Sequence, residues 1–565
     1  MTWTELPPGL ILIAGGVLAA VLPLRLRQLL MLGLPVLGFL HLLAIPEGNY
    51  AALSFFGVDL IGSRVDGLSL IWGYIFYIAA FVSSIYHLHV KDRMQDVAAM
   101  TYAGSAIGAV FAGDLVTLFV YWELTAVTSA FLIFARRDNA SYRAGVRYLI
   151  VQILSGVLLL GGLVMQWRAT GSVAFDAMTL ASPGAVLIFL GFGIKCAFPL
   201  LHNWLQDAYP NATVTGTVFL SSFTTKMAVY TLARGFPGTE ELIWIGALMT
   251  AFPIFYAVIE NDLRRVLSYS LNNQLGYMVV GVGIGTDMAL NGAAAHAFTH
   301  ILYKGLLFMS MGAVLHRVGT IKGSELGGLY KSMPWTAGFC IVGAASISAF
   351  PLFSGFVSKS LIIAAAAEEG HWFVWLVLLF ASAGVFHHSG IKIPYFAFFA
   401  HDSGRRVKEA PWNMLLAMAI TAFLCIFIGV YPKALYDILP FPVDYVPYTT
   451  AHVITQLQLL MFSALAFTVL MLYKIYPPEL KSTNLDTDWI YRKLLPCVLG
   501  WLGKVIRKTD RMIREEALSV LGDLTAMIER QHGDGAPISK TMQAGTMALI
   551  VLSILFLFLI VTLIA

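Results

Sequence analysis

Sixteen apolar stretches, each long enough to cross a bilayer, follow one another along the chain and constrain its fold more than any other feature. About 20 apolar residues span the hydrocarbon core as a helix, which satisfies its backbone hydrogen bonds internally. The stretches lie at residues 8–24, 28–45, 67–88, 97–113, 114–134, 146–167, 182–206, 212–234, 241–259, 264–285, 290–316, 334–368, 371–399, 411–432, 452–474 and 541–564. They predict an all-α polytopic membrane protein with about 14–16 transmembrane helices.

The composition supports this class. The chain is 58% hydrophobic and 12% charged, with a mean hydropathy of +0.77, whereas soluble domains carry about 25% charged residues. The net charge of +4 is small, so we do not expect a nucleic-acid partner. We expect a multi-pass protein of the cell (inner) membrane.

The cysteines and the N-terminal stretch bear on cofactors and processing. Cys196, Cys340, Cys425 and Cys497 have no metal-type spacing, so we expect no metal site, disulfide or redox cofactor. Residues 8–24 lack a basic flank and are followed at once by a second apolar stretch, which predicts a retained span rather than a cleaved signal.

Basic residues alternate between loops. Short cytoplasmic loops are rich in Lys and Arg. The loops after odd-numbered stretches carry Arg25 and Arg27; Lys91 and Arg93; Arg136, Arg137, Arg143 and Arg147; Arg264 and Arg265; Arg317, Lys322 and Lys331; Arg405, Arg406 and Lys408. Loops after even-numbered stretches carry at most one, such as Arg64 or Arg168. This alternation supports the number of spans and predicts an N-terminus outside.

A lysine and a proline interrupt the seventh stretch. Lys195 lies four residues before Pro199, with Gly193 close by. An ammonium at the bilayer centre costs at least about 2.5–3.5 kcal/mol, so such a lysine usually faces a protein interior or a wet cavity. Snorkelling from a helix end is the alternative. The combination favours a discontinuous helix whose freed backbone groups line protein or water.

The same pattern recurs later, where Pro351 and Gly355 interrupt an apolar stretch and Lys359 follows. Two broken helices in corresponding halves of a transporter point to an internal repeat with ion sites near the midplane. A third Lys-plus-Pro pattern surrounds Lys392, after the pair His387-His388. There snorkelling is at least as consistent with the sequence, and we assign no transport role.

Further titratable residues lie inside the apolar stretches. Glu123 is mid-stretch and needs a partner, for which Lys195 is the natural candidate. His296 and His300 share a helix face, with Lys304 four residues further on; without a third ligand the spacing favours a hydrated polar stripe over a metal site. We predict that these residues form one polar axis that relays protons. The alternative is a set of unrelated polar groups, each with its own hydrogen-bond partners. The axis comprises Glu123, Lys195, Lys226, His296, His300, Lys304 and Lys359.

The region 477–540 differs from the rest. Leu495, Val498, Leu499, Leu502, Val505 and Ile506 recur at helical spacing among Lys and Arg residues. This pattern predicts a basic amphipathic helix that lies at the membrane interface or along neighbouring subunits. A turn at residues 533–537 then leads into the final span.

At these residues the sequence resembles the antiporter-like family shared by complex I membrane subunits, the A- and D-type subunits of Mrp-type cation/proton antiporters, and membrane-bound hydrogenases. The matching motifs are Trp122–Thr125, Gly193–Ala208, the helix of Lys226, His296–Phe308 and Phe353–Lys359. The resemblance covers roughly residues 60–430.

The resemblance implies two inverted five-helix repeats containing broken helices. It places the repeats at 97–240 and 241–432. The residue pattern of the rest of the chain predicts N-terminal spans at 1–96, a further span at 433–476, an amphipathic interfacial or lateral helix at 477–540 and a final span at 541–565. The resemblance makes Glu123 and Lys195 the coupling pair, Lys226 and the His296-to-Lys304 stripe the central relay, and Lys359 the exit residue. Gln206 and Tyr209 replace the family's usual proline and histidine, a departure that we expect to alter the cytoplasmic entrance.

Three functions are compatible with the sequence. The leading hypothesis is a proton-translocating subunit of a monovalent cation/proton antiporter, whose partners are other membrane subunits, protons, Na⁺ or K⁺, and lipid. The second is an ion-pumping subunit of a redox-driven complex, without a redox centre of its own. The third is a non-transporting structural subunit or an accessory to bicarbonate uptake. The sequence favours a transporter subunit over a catalyst and does not identify the counter-ion.

Overall fold

The structure is a computed structural model that describes residues 5–55, 57–476, 484, 486–536 and 539–564. It divides into two compact units, one ending at Asn484 and the other beginning at Leu485. Among the described residues the regular structure is helical except for one two-stranded antiparallel sheet. The predicted all-α membrane class is therefore confirmed.

The elements of the first unit are, in chain order, α1 (Pro8–Ala19), α2 (Leu24–Ala44), β1 (Gly48–Phe55), β2 (Val58–Val65), α3 (Gly67–His87), α4 (Arg93–Phe111), α5 (Leu115–Phe134), α6 (Asn139–Thr170), α7 (Pro183–Cys196), α8 (Asn203–Asn211), α9 (Val214–Ser222), α10 (Thr224–Gly235), α11 (Glu240–Ile259), α12 (Leu263–Ile284), α13 (Asp287–Val318), α14 (Pro334–Ile347), α15 (Ser354–Glu368), α16 (Trp372–Val385), α17 (Lys392–Pro394), α18 (Trp412–Val430), α19 (Lys433–Tyr436) and α20 (Thr450–Leu472). Short 3₁₀ turns at Gly323–Glu325 and Leu329–Lys331 precede α14.

Each of the sixteen predicted stretches coincides with a helix or with a pair of helices. Ten helices in the described chain are long and apolar enough to cross a membrane by themselves, and α1, α7 and α14 are shorter apolar helices. The ten helices that are long and apolar enough are fewer than the 14–16 predicted spans. One reason is that three of the predicted stretches are each divided into two shorter helices. The predicted N-terminus outside and the division into inverted repeats stay predictions.

The β1–β2 hairpin was not predicted. Its register pairs Gly48 with Val65, and it contacts the start of α5. The Ile61 backbone N–H donates to the Asp114 carboxylate at 2.8 Å, and the same side chain caps α5 by accepting from the Thr117 N–H at 2.7 Å. The hairpin thereby fixes the N-terminal end of the helix that carries Glu123.

The two predicted helix breaks have the same sequence and the same backbone geometry. Ala-Phe-Pro-Leu occupies residues 197–200 between α7 and α8, and residues 349–352 between α14 and α15. Ala197 and Leu200 have φ of 63° and 70°, and Ala349 and Leu352 have φ of 56° and 73°.

The hydrogen bonds at the two breaks match as well. The Phe198 N–H donates to the Gly193 carbonyl, and the Phe350 N–H donates to the Ala345 carbonyl, both at 3.0 Å over five residues. Left-handed backbone at a non-glycine residue costs about 1–3 kcal/mol and persists only where the surroundings impose it. The predicted discontinuous helices are confirmed at both places.

A third break was not predicted. The stretch 212–234 is divided at Phe223, whose φ of −106° and ψ of −68° separate α9 from α10. By contrast, the predicted Lys-plus-Pro interruption near Lys392 keeps a continuous helical path, which is π-helical over Phe386–Ile391 and Tyr395–Phe399 on either side of α17. π-helical turns leave a backbone offset and often mark functional sites.

Helix α13 forms the centre of the first unit. Residues 289–314 of this helix are buried continuously, and its neighbours include α12, α14, α15 and α18. A 32-residue helix that is buried on all sides cannot face lipid, so its polar residues are held inside the protein.

The second unit begins with a π-helical turn, Ile490–Leu494, and continues as α21 (Leu495–His532) and α22 (Ala544–Ile564). The predicted amphipathic helix is helical over the 38 residues of α21, and α22 has the length and apolarity of a span. Residues 477–483, Leu485 and the proline of the predicted turn, Pro537, lie outside the described residues.

Candidate functional site

Lys195 lies in the last turn of α7 with no solvent-exposed surface. Its ammonium donates to the Trp122 carbonyl at 2.6 Å and to the Thr125 hydroxyl at 2.9 Å, and it lies 4.3 Å from the centroid of the Trp122 ring. These three contacts fix the ammonium against α5. Lys195 therefore faces the protein interior and does not snorkel from a helix end.

Glu123 projects from α5 between the residues that Lys195 contacts, and Lys195 is its electrostatic neighbour. Its Oε1 atom is buried without a hydrogen-bond partner among the described residues. This oxygen rests against Gly156 of α6, where a Cβ would lie 1.4 Å from it. The predicted pair is brought together, but the ammonium is bonded to the backbone and hydroxyl beside Glu123 and not to the carboxylate.

Lys226 lies just after the break between α9 and α10 and is also fully buried. Its ammonium donates to the Ser221 carbonyl at 2.5 Å, in the last turn of α9 before the break at Phe223. A cation is favoured at the C-terminal end of a helix, where carbonyls carry partial negative charge. The Lys226 carbonyl accepts from the Trp72 indole at 3.1 Å.

Helix α13 carries the predicted stripe of His296, His300 and Lys304, all with no exposed surface. His296 Nδ1 lies 3.1 Å from the Ser358 hydroxyl. Both ring nitrogens of His300 are buried without a hydrogen-bond partner in the described part of the chain, and the electrostatic neighbours of this ring include Lys226 and Lys304. His300 thus lies near lysines from both halves of the predicted axis.

Lys304 and Lys359 complete the axis. The Lys304 ammonium donates to the Ser270 hydroxyl at 2.7 Å. The Lys359 ammonium donates to the Ile347 carbonyl at 3.0 Å and lies 5.2 Å from the Tyr277 ring centroid. Both lysines are electrostatic neighbours of one another.

The His296 and His300 rings are 6.2 Å apart with an interplanar angle of 34°. No third His, Cys, Asp or Glu joins them in a metal-binding group within the described residues. The unpaired nitrogens of His300 are instead the type of buried polar group that ordered water commonly satisfies. The stripe can therefore form part of a hydrated relay.

Several polar residues near the axis were not singled out from the sequence. Tyr303 donates from its hydroxyl to Gln274 Oε1 at 3.1 Å and lies 3.4 Å from His296 Nε2. Ser270 and Gln274 lie on α12, where the polar run Asn272-Asn273-Gln274 interrupts an apolar stretch. That run was the available signal, since amide side chains rarely occur inside a span without a role.

Lys392 is fully buried and caps the end of α11. Its ammonium donates to the Val258 carbonyl at 2.6 Å and to the Glu260 carbonyl at 2.7 Å. The side chain therefore stays within the protein, and the contacts account for the cation by helix capping.

Ion pairs outside the axis fix the surrounding elements. Arg147 of α6 binds the Asp207 carboxylate of α8 through two nitrogens, at 2.6 and 3.0 Å. Asp66, just before α3, accepts from Arg234 at 2.6 Å. Burial alone would raise the pKa of Asp66, but the hydrogen bond and charge of Arg234 outweigh it and hold that pKa below its usual value.

The region that carries the whole axis is shared with known membrane proteins. Residues 112–386 match the family model described as NADH:quinone oxidoreductase/Mrp antiporter, transmembrane region. This part of the chain is therefore similar to that family of antiporter-like membrane subunits. The resemblance inferred from the motifs is confirmed.

Curated relatives come from more than one kind of complex. Hydrogenase-4 component B of Escherichia coli strain K12 is 28% identical over 418 residues, which are 65% of this chain and 62% of the relative. An Na⁺/H⁺ antiporter subunit of Alkalihalophilus pseudofirmus is 29% identical over 423 residues, which are 66% of this chain and 52% of the relative. The chain thus spans between half and two thirds of the length of these relatives.

Solved structures share the fold. The Mrp complex from Dietzia sp. DQ12-45-1b matches 92% of this chain and 62% of its own chain with a TM-score of 0.77 at 24% identity. The archaeal membrane-bound sulfane sulfur reductase matches 99% of this chain and 100% of its own chain with a TM-score of 0.72 at 22% identity. At these identities the likeness establishes the fold.

Proposed function

We propose that this chain is a proton-translocating membrane subunit of a multi-subunit monovalent cation/proton antiporter. The observation that carries the proposal is the setting of Lys195, whose fully buried ammonium is held against α5 beside the partly unpaired carboxylate of Glu123. Placing a charged side chain inside a membrane protein costs free energy, and such residues usually mark an ion or proton path. Two such groups change each other's proton affinity when either gains or loses a proton.

The first step occurs between α5 and α7. A proton binds the Lys195 amine, and the resulting ammonium is stabilised by the Trp122 carbonyl, the Thr125 hydroxyl and the nearby Glu123 carboxylate. When Glu123 takes up a proton or turns away, the ammonium loses its main charge partner and releases its proton. Because Gly156 leaves room only for the carboxylate, α6 keeps Glu123 within range of the lysine.

The proton then passes along the remaining axis. Lys226, His300 and Lys304 are electrostatic neighbours, so each transfer lowers the proton affinity of the next cation in the series. Water bridges the gaps at His300, whose ring nitrogens lack protein partners among the described residues. Lys359, beside the second break, is the exit residue, and the Ile347 carbonyl holds its charged form.

The membrane setting is inferred from the family. Relatives are named as antiporter and hydrogenase components, so we infer that this chain assembles with other membrane subunits of a hetero-oligomeric complex. We also infer a cell (inner) membrane location with the N-terminus outside, on the alternation of basic loops. The counter-ion is Na⁺ or K⁺.

A second candidate is an ion-pumping subunit of a redox-driven respiratory or hydrogenase complex. One observation favours it: the fold of the sulfane sulfur reductase subunit matches both chains over nearly their full lengths, whereas the Mrp match covers 62% of its chain. The same axis would serve either parent complex. Purifying the complex and identifying its subunits separates the two, because co-purified iron–sulfur subunits would contradict the antiporter assignment.

The proposal is tested by Glu123→Gln and Lys195→Ala in the assembled complex, with proton movement measured in everted membrane vesicles by a pH-sensitive dye. We expect both variants to assemble and to lose transport. Lys331→Ala is the control, because Lys331 is a half-exposed lysine paired with Asp402 away from the axis. Wild-type rates in an assembled Lys195→Ala complex would overturn the proposal and favour a structural or bicarbonate-uptake accessory role.

A further inference from the structure

A chain of hydrogen bonds leads away from Lys304 to a histidine that has no place in the axis. The Lys304 ammonium donates to the Ser270 hydroxyl at 2.7 Å. The Ser389 hydroxyl donates to the same Ser270 oxygen at 2.8 Å, and His388 Nδ1 lies 2.9 Å from the Ser389 oxygen. Three helical segments that are distant in sequence therefore share one unbroken series of contacts.

All four side chains are sealed inside the protein, with no exposed surface. A buried serine hydroxyl in a helix can donate a hydrogen bond to a carbonyl of the preceding turn. Ser310 does so with the Leu306 carbonyl at 2.8 Å. Ser270 and Ser389 bond each other across two helices instead. Hydroxyls that only needed a hydrogen-bond partner could have used a carbonyl of their own helix. The contact between Ser270 and Ser389 therefore calls for another explanation.

His387 and His388 both lie in the π-helical turn Phe386–Ile391. His388 is fully buried and has Lys304 and Lys359 among its electrostatic neighbours, whereas His387 stacks on Tyr476 with ring centroids 5.4 Å apart and an interplanar angle of 16°. Gly390 permits the close approach of this turn to the end of α14, since a Cβ there would lie 2.3 Å from the Ser348 hydroxyl. The two adjacent histidines thus have different neighbours.

The far nitrogen of His388 is open to a further partner. His388 Nε2 is buried and has no hydrogen-bond partner among the described residues, while Nδ1 is used towards Ser389. The charged and titratable groups that face this ring are Lys304, His387, Lys392 and Lys359. Lys392 binds carbonyls at the end of α11. Arg264 and Arg265, in the first turn of α12, belong to the basic region that we expect on the cytoplasmic side.

We propose that His388, Ser389 and Ser270 form a proton-uptake limb that loads Lys304 from the side of the membrane where α11 ends. The inference rests on the proposed proton-relay function and adds a second point of access to the axis. It gives a function to the third Lys-plus-Pro segment, for which the sequence alone favoured no transport role.

The transfer balances without any group beyond these side chains and water. A proton arrives at His388 Nε2 through water, and the imidazolium gives its Nδ1 proton to the Ser389 oxygen. The Ser389 hydroxyl proton passes to the Ser270 oxygen, along the donor direction that the structure shows. The Ser270 hydroxyl proton passes to the neutral Lys304 amine, which becomes an ammonium. Rotation of both hydroxyls and a change of tautomer at His388 reset the limb.

The test uses the assembled complex in everted vesicles and four single variants. His388→Gln and Ser389→Ala should each reduce the rate of proton movement on the order of tenfold or more, because each removes one proton-transfer group. Ser389→Thr retains the hydroxyl and should restore the rate to within about twofold. His387→Gln is the matched control, one residue away in the same turn, and should leave the rate unchanged.

A double-variant cycle distinguishes one path from two unrelated defects. Ser270→Ala and Ser389→Ala interrupt the same series, so the double variant should be no slower than the slower single variant. Independent, multiplying losses would contradict a shared path, as would a wild-type rate in an assembled His388→Gln complex.

Lys304→Ala separates the failure of this inference from the failure of the proposed function. If Lys304→Ala abolishes transport while His388→Gln does not affect it, the proposed axis is supported and the uptake limb is wrong. If Lys304→Ala transports at the wild-type rate, both the proposed relay and the uptake limb are wrong.

Discussion

The carboxylate of Glu123 on α5 rests against the backbone of Gly156 on α6. It can occupy this position because glycine has no side chain. A Cβ at Gly156 would lie 1.4 Å from Glu123 Oε1. We expect Gly156→Ala to displace the carboxylate from Lys195 and to slow proton transport on the order of tenfold.

Gly161 provides the matched control for this substitution. It lies on the same helix, and a Cβ there would meet only Leu187 Cδ1 at 3.8 Å, which is ordinary contact. Gly161→Ala should therefore retain transport. Equal rates for the two alanine variants in vesicles would show that the position of Glu123 does not matter.

At the second helix break, the Lys359 ammonium donates to the Ile347 carbonyl. Lys359→Met keeps much of the side-chain volume but removes the ammonium, so we expect loss of transport in a complex that still assembles. Lys359→Arg should retain part of the rate, because a guanidinium can still bond the carbonyl but exchanges its proton poorly. A Met variant that transports normally would remove Lys359 from the relay.

Gly390 is the point where the π-helical turn passes α14. An added Cβ would lie 2.3 Å from the Ser348 hydroxyl, so Gly390→Ala should shift the turn and lower the melting temperature of the purified complex. Gly338→Ala is the control: Gly338 lies on α14 itself, a Cβ there would have nothing within 4 Å, and the melting temperature should stay unchanged. Thermal unfolding followed by fluorescence measures both.

The Asp66–Arg234 pair predicts an acid-dependent stability. Because the pKa of Asp66 is lowered in the folded protein, the pair stabilises the fold at pH values above the ordinary carboxyl range. Its contribution, about 1 kcal/mol for a partly exposed charged hydrogen bond, is lost as the pH falls through the lowered pKa.

Melting curves of the wild type and of Asp66→Asn, recorded from neutral pH to about pH 3, check this expectation. The wild type should be more stable near neutrality, and the difference should shrink as the pH falls below about 4. Asp176→Asn, which changes an exposed carboxylate paired with Arg64, should show a smaller difference. A stability difference between the wild type and Asp66→Asn that increases as the pH falls would contradict this prediction.

The membrane class and the helix breaks could be predicted because their causes are local. Apolar length predicts spans, and proline with a nearby lysine predicts a discontinuous helix. The break at Phe223 carries no proline or glycine in its turn, so no local signal was present. The β1–β2 hairpin was missed because its contacts, such as the hydrogen bond from Ile61 to Asp114, join residues distant in sequence, which periodicity does not reveal.

The candidate site was predictable residue by residue but not in its contacts. A charge in an apolar stretch is visible in the sequence, and all seven axis residues were chosen for that reason. Their partners are mostly backbone carbonyls and hydroxyls, such as the Ser221 carbonyl for Lys226, and these depend on how helices end and pack. Likewise, the sequence does not show that His388 is fully buried while His387 packs on Tyr476, because these contacts depend on how the π-helical segment packs.

The partners of the buried lysines have one consequence for control of the pathway. Ser221 and Ile347 present carbonyls to Lys226 and Lys359, and a carbonyl neither gains nor loses a proton in the working range of pH. These two lysines therefore have hydrogen-bond partners whose charge is fixed. In the proposed relay, Glu123 is the one residue among the seven whose negative charge a proton can neutralise. A partner subunit or a counter-ion that regulates the flow of protons would act most directly on that charge.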